Sequence, residues 1–419
     1  MKILYMLHND PRRAGGTEKH VLQLAESLSG RHEIAIFYPE AVKQEIEPSL
    51  EIEDFNGIRL HVLHKQGRND FLPPGYDVKQ QNELLQSLIV GFGPDVIHLH
   101  HLKNLPLIAL PAAMLSTARS VVSLNDFCFF CMQNHLTRRD DEFCESSGGG
   151  DNCAMYCLPR GKRLLSQLSR HFSAITGETA VFNYLRGSIQ NRKTAFAKFD
   201  AVLAPSQYVL DRFNAEGFES PAARVLEPGI AQFPKNENRA TPGRPVRFVS
   251  LGNINRDKGA ELLIEAFKRI SPEDATLAFH GNIVEKSIEK TIGAAVRTCP
   301  HITHAGPYQE NELPGILAGA DCLINASMLP ETFSLVISEA WMAGLPVIAS
   351  AHGAPASRIT AGKNGLLFEK GNSADLLAKI ETVIDRPELL DEMRNGIPEV
   401  MTVDSYIEEI EKIYSGSEG

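Results

Sequence analysis

Short, almost wholly apolar runs alternate along this chain with stretches whose apolar residues recur every three to four positions. Runs at 2–7, 32–37, 58–63 and 96–99 are rich in Ile, Leu, Val and Phe. That is the pattern of a strand covered on both faces. Between them, 18–28 and 78–90 carry the helical period. A second series begins at 247–251, with helical periods at 262–270, 287–297 and 312–318 and strand-like runs at 276–279, 302–304 and 322–325. Strand–helix alternation predicts doubly wound parallel sheets, one for each series. The stretch from Glu227 to Pro245 is rich in Pro, Gly, Asn and Lys without a period, and reads as a linker. The expected division is 1–227, a linker at 228–245, 246–400, and a tail at 401–419.

Length agrees with two units, since 419 residues exceed what one core accommodates. Composition is that of an ordinary globular protein, 43% hydrophobic and 22% charged. A formal net charge of −10 argues against a nucleic-acid binder. No apolar run reaches membrane-spanning length. The apolar N-terminal run is too short for a signal peptide and reads as a first buried strand, which places the protein in the cytoplasm.

The most informative local feature is a pair of carboxylates, Glu331 and Glu339, with seven residues between them. A buried strand and a turn at Met328–Pro330 precede them, and a helix is expected from Phe333 onward. Glu331 then lies at a strand-to-helix turn and Glu339 about two turns later. Free amides at a helix start bind anions. A carboxylate there and another down the helix suit a sugar nucleotide: amides for phosphate, one carboxylate for sugar hydroxyls, the other for the ribose diol. The spacing alone equally fits a solvated helix with two ordinary glutamates.

The surrounding stretch decides. Residues 330–350, Pro-Glu-Thr-Phe-Ser-Leu-Val-Ile-Ser-Glu-Ala-Trp-Met-Ala-Gly-Leu-Pro-Val-Ile-Ala-Ser, resemble the signature of retaining E-x7-E glycosyltransferases. Gly353 and the later Ala361-Gly-Lys-Asn-Gly stretch continue the likeness. The resemblance implies the GT-B fold, two Rossmann-like α/β domains of doubly wound parallel sheets facing a cleft. Its last helix, here 403–415, returns to the first domain. The resemblance also implies a nucleotide-sugar site at Glu331, Phe333, Ser334, Leu335 and Glu339.

Two glycine turns follow first strands, where backbone approaches phosphate. Gly15-Gly16 resembles the family's glycine loop, implying a donor- or acceptor-facing role. In Leu251-Gly-Asn-Ile-Asn-Arg-Asp-Lys-Gly259, Lys258 matches the lysine that neutralises the leaving diphosphate. The family's arginine position holds Asn253. Arg256 is a substitute or a surface residue. Tyr308, in a segment resembling the nucleobase-reading loop, is a base neighbour or plain packing. Asn125-Asp126 stands where the family usually has His-Asp, which implies an acceptor-side pair in which Asn cannot exchange a proton. His98, His100 and His101 read as core or loop histidines, any one of which could enter the cleft. Lys258, Glu331 and Asp126 are the residues expected nearest the chemistry.

Five of seven cysteines, Cys128, Cys131, Cys144, Cys153 and Cys157, fall in an insertion at 126–158 too polar to form its own core. Such a loop needs a staple. In a reducing compartment paired short spacings favour structural zinc, with an iron–sulfur cluster second, over free thiols or disulfides. The following 158–198 carries eight Lys or Arg against Glu178. With Leu164, Leu168 and Phe172 at helical spacing, it reads as a surface for anionic membranes or a basic face packed on the first domain.

Together these features predict a retaining, hexosyltransferase-type enzyme. It would move sugar from a UDP- or GDP-sugar to a glycan or polyprenyl-linked acceptor, in polysaccharide or lipopolysaccharide synthesis, with no catalytic cofactor. The alternatives are a weakened GT-B scaffold of an assembly complex, and a GT-B epimerase.

Overall fold

The computed structural model describes residues 1–13, 15–67, 79–105, 117–158, 180–233 and 243–417. The chain divides into two compact units, Met1–Glu227 with Tyr406–Gly419, and Pro228–Ser405.

In the first unit, β1 (Lys2–Met6), α1 (Gly16–Ser29), β2 (Glu33–Val42), β3 (Ser49–Phe55), β4 (Ile58–Gln66), α2 (Lys79–Phe92), β5 (Val96–Leu99) and β6 (Arg119–Ser123) come first. After the cysteine-rich insertion follow α3 (Ala180–Phe196), β7 (Ala201–Ala204), α4 (Gln207–Ala215) and β8 (Ala223–Val225). The strand order is β3-β4-β2-β1-β5-β6-β7-β8, parallel except for β3 against β4. Ile3, Leu4, Tyr5 and Met6 are fully buried, which explains the unbroken apolar run of β1. Successive strands run leftward from β1 and rightward from β5. The order therefore reverses between β1 and β5, where doubly wound sheets bind ligands.

The second unit holds β9 (Val246–Leu251), α5 (Ala260–Phe267), β10 (Ala275–His280), α6 (Lys286–Thr298), β11 (Ile302–Gly306), α7 (Leu313–Ala318) and β12 (Cys322–Asn325). Then come α8 (Leu335–Met342), β13 (Val347–Ser350), α9 (Ala354–Arg358), β14 (Gly365–Phe368), α10 (Ser373–Asp385) and α11 (Glu388–Arg394). Its order β11-β10-β9-β12-β13-β14 is wholly parallel and reverses between β9 and β12. Helix α6 shows how pattern becomes packing: Ile288, Ile292 and Ala295 are buried and the charged residues lie outward.

The final helix, α12 (Val403–Ser415), joins the first unit from Tyr406 onward. Tyr414 Oη bonds His98 Nδ1 at 2.6 Å, and Glu411 pairs with Arg31 and His32 at 2.7 Å. Among the described residues no helix is long and apolar enough to cross a membrane.

Candidate functional site

In the second unit, chemistry gathers where strand order reverses. The loop after β9 ends at Gly259, with φ +73; a Cβ there would fall 2.1 Å from the Ala326 carbonyl oxygen. Glycine thus lets the loop carrying Lys258 lie against the loop after β12. Lys258 Nζ donates to Glu331 Oε1 at 2.6 Å. Burial works to raise the Glu331 pKa. The Lys258 charge and hydrogen bonds from Lys258, Ser334 and Ser327 outweigh it and hold the carboxyl below its usual range. A pocket lined in part by Gly252, Asn253, Lys258, Asn325, Ser327 and Val336 opens beside this pair. Arg256 is exposed and does not line it.

The helix carrying Glu339 begins two residues later than expected. Ser334 is left-handed, φ 71 and ψ 82, so the helical stretch starts at Leu335 rather than Phe333. Asn325 Nδ2 fixes Ser334 by donating to its Oγ at 2.8 Å. Arg358 donates to the Phe333 carbonyl at 2.9 Å and to Ser338 Oγ at 2.6 Å, its guanidinium 3.8 Å from the Phe333 ring centre. Phe333 is 4% and Ser334 8% exposed, so both side chains are committed inside the unit. Leu335 and Val336 are half-buried rather than core residues. Glu339 serves a different neighbour from Glu331: burial, with the Glu339 charge, pushes the Tyr308 hydroxyl up to about 12.

The first unit has its own cluster at the β1/β5 reversal. The His8 ring, just after β1, stacks on that of His101, just after β5, at 3.8 Å. Lys103 N donates to His101 Nδ1 at 2.8 Å, which leaves Nε2 to carry the proton toward the Asp126 carboxylate it contacts. Burial works to raise the Asp126 pKa; the His101 charge and hydrogen bonds from His101 and Cys128 lower it overall. Burial, then the neighbouring His101, holds His8 near 3, so its ring is neutral. Asn125 Nδ2 donates to the His100 carbonyl at 3.1 Å. Glu18, 6% exposed, fills the start of α1: Asn9 donates to it at 2.9 Å, and a Cβ on Gly15 would meet it at 2.1 Å. A phosphate approaching Gly15 and Gly16 would meet that carboxylate first.

The five insertion cysteines do not gather as one set. None of them is joined in a disulfide. Cys128 Sγ lies with His101 and Asp126, their ligand atoms all within 4.8 Å of one another. Phe129 and Phe130 anchor the insertion in an aromatic core with Phe196 and Phe213, at ring separations of 5.6 and 5.1 Å. Helix α3 pins it further: Arg186 pairs with Asp151 at 2.7 and 2.9 Å, and Arg192 Nη1 donates to the carbonyls of Cys128 and Phe129. These two cations of the expected basic face therefore have internal partners. Residues 159–179, with Leu164, Leu168, Phe172 and four of the cations, lie outside the described residues.

Comparison with known proteins sets these sites beside two family models. Residues 232–400 match Glycosyl transferases group 1, and residues 14–139 match Glycosyltransferase Family 4. The structure of Anabaena HepE in complex with UDP-glucose is similar with TM-score 0.64 and 17% identity, over 99% of this chain and 100% of that one. The fold is GT-B.

An uncharacterized glycosyltransferase of Methanocaldococcus jannaschii is 27% identical over 241 residues, 56% of this chain and 65% of the relative. D-inositol 3-phosphate glycosyltransferase 1 of Catenulispora acidiphila is 30% identical over 185 residues, 39% of this chain and 42% of the relative. The chain thus covers less than two thirds of either relative's length. Of the residues expected nearest the chemistry, Lys258 pairs with Glu331 in the second unit and Asp126 lies beside His101 in the first. Sequence reasoning missed Arg358, Asn325, His8 and Glu18 as site-building groups. A lone arginine or histidine carries no local signal of its partner, and these partners come from other loops.

Proposed function

We propose that this protein transfers a sugar from a nucleoside diphosphate sugar to a hydroxyl of a glycan or lipid-linked acceptor, with retention at the anomeric carbon. One observation carries the reading: Lys258 rests on Glu331 at the strand-order reversal of the unit matching group 1. An incoming diphosphate recruits Lys258. Glu331, released from it, accepts hydrogen bonds from the sugar, and Glu339 accepts them from the ribose diol. The bond from the anomeric carbon to the diphosphate oxygen breaks. The acceptor oxygen bonds that carbon on the same face, and its proton passes to the leaving phosphate. The protein's contribution is chiefly stabilisation of the departing charge by Lys258 and the amides before α8. The UDP-glucose complex of HepE supports a UDP-sugar as the first donor to try. Synthesis of a cell-surface polysaccharide or lipopolysaccharide fits a lipid-linked acceptor.

The test is nucleoside diphosphate release from UDP-, GDP- and TDP-sugars, followed by NMR of the product anomer. Retained configuration with one donor class is expected. Release of none, without binding of any, overturns the enzyme reading in favour of a scaffold. An inverted product overturns the mechanism.

A further inference from the structure

We propose that Cys131, Cys144, Cys153 and Cys157 ligate a four-iron, four-sulfide cluster that staples the insertion, and that Cys128 takes no part. The local backbone brings these four sulfurs together from three segments. Cys131 N donates to the Phe127 carbonyl at 2.8 Å, and Asn134 N to the Cys131 carbonyl at 3.1 Å, forming a tight knuckle. Cys144 N donates to the Leu136 carbonyl at 2.7 Å, closing a small hairpin whose bridge joins Thr137 and Phe143. Cys153 and Cys157 open and close one wide helical turn. Cys153 Sγ reaches back to the Phe130 carbonyl at 3.6 Å, and Arg139 Nε holds the Cys157 carbonyl at 2.5 Å. All four side chains are buried.

The spacing of the sulfurs points to a cluster rather than a single ion. Every one of the six pairings lies within range of electrostatic coupling: Cys153 with Cys157, Cys131 and Cys144, Cys131 with Cys157 and Cys144, and Cys157 with Cys144. Yet among the described residues no three of them come within 4.8 Å, as His101, Asp126 and Cys128 do. Zinc bonds of about 2.3 Å in a tetrahedron would hold thiolates about 3.8 Å apart. A cubane places irons and sulfides between its thiolates and so holds them farther apart.

Charge is consistent with this. Four thiolates around a cluster leave it net negative, and Arg138 and Arg139 lie beside Cys157, Arg138 and Arg212 beside Cys144. The opposing carboxylates are Asp140 and Glu216, and Glu216 is already held by Ser147 N and Oγ at 2.9 and 2.5 Å. On ligation each of the four thiols gives up its proton. Two ferrous ions, two ferric ions and four sulfides complete the cluster, so no separate oxidant is needed.

The experiment is iron, acid-labile sulfide and zinc analysis of the full chain purified without oxygen, with Mössbauer spectroscopy. About four iron and four sulfide per chain, in a cubane spectrum, are expected. About one zinc without sulfide, or neither metal after reconstitution with mixed ferrous and ferric iron and sulfide, overturns the proposal. Cys128→Ser should keep the wild-type iron content and Cys153→Ser should lose most of it. The reverse ranking overturns the ligand assignment. Should Cys153→Ser fail to fold, Cys128→Ser and the wild-type spectrum decide.

Discussion

Gly353→Ala tests the site through a residue that offers a ligand no side chain. Gly353 has φ 70 and ψ −153, a region essentially closed to other residues at about 1–3 kcal/mol. A Cβ there would sit 2.6 Å from Glu331 N, 2.7 Å from Glu331 O and 2.8 Å from the Pro330 carbonyl carbon. All three are backbone atoms, so the Glu331 peptide itself must move. That movement strains the hydrogen bond from Ala354 N to the Glu331 carbonyl, 2.8 Å long and worth about 1 kcal/mol. The expected loss is about 2–4 kcal/mol, confined to the second unit. Trp341, the single tryptophan of the chain, is 3% exposed on α8 of that unit, so its fluorescence in urea reports this unfolding. Gly362→Ala is the control: φ is 77, but no atom lies within 4 Å of the added Cβ. It should cost only the left-handed penalty, about 1–2 kcal/mol. If Gly353→Ala is no worse than Gly362→Ala, and UDP affinity is unchanged, Gly353 does not set the position of Glu331.

Lys258→Ala should lower turnover by about 100-fold or more while changing stability by less than about 1 kcal/mol, because the lysine is half-exposed in its pair with Glu331. Near-normal turnover in the donor assay would transfer the role to Arg256. Glu339→Gln should weaken donor binding by about 1.5–3 kcal/mol, read by calorimetry with the donor that turns over; unchanged affinity refutes the ribose assignment. His98 is buried between Tyr414 and Ser123 at 2.6 and 2.8 Å, and burial holds its pKa near 3, below the ordinary 6.5. The unfolded chain therefore takes up a proton that the folded one refuses. His98 should contribute about 1.4 kcal/mol per pH unit to the fall in stability of the first unit from about 6.5 toward 3, beside contributions of the same sign from His8, His20 and His100, and His98→Gln should flatten the total slope by one proton in circular dichroism titrations.

Most strands were legible because parallel strands covered on both faces are nearly pure apolar runs, as at β5, β12 and β9. The miss was β3. It is an antiparallel edge strand with Glu51, Glu53 and Asp54 within it, so neither an apolar run nor a clean alternation marks it. The start of α8 was misplaced because left-handed Ser334 depends on Asn325 and Arg358 nearby in space. The basic character of 158–198 was plain in the sequence. That Arg186 and Arg192 spend their charge on the insertion was not, since Asp151 and the carbonyls of Cys128 and Phe129 are distant in the chain.

Asn125 stands where the pattern this sequence resembles has histidine. The His-Asp pair implied by that resemblance would present an imidazole from the end of β6. Here Asn125 turns to the His100 carbonyl and ties the end of β6 to the end of β5. The ring beside Asp126 comes instead from His101 on the neighbouring strand, with Nδ1 fixed by the Lys103 amide and one face covered by His8. An imidazole–carboxylate pair thus stands where β5 and β6 end. The parallel register of β5 and β6, His98 opposite Val121 and Leu99 opposite Val122, brings the ends of the two strands side by side. Cys128 N donates to Asp126 Oδ1 at 2.9 Å, and the Cys128 thiol lies with His101 and Asp126. Of the five cysteines that read in the sequence as one motif, Cys128 belongs in space with the β1/β5 cluster.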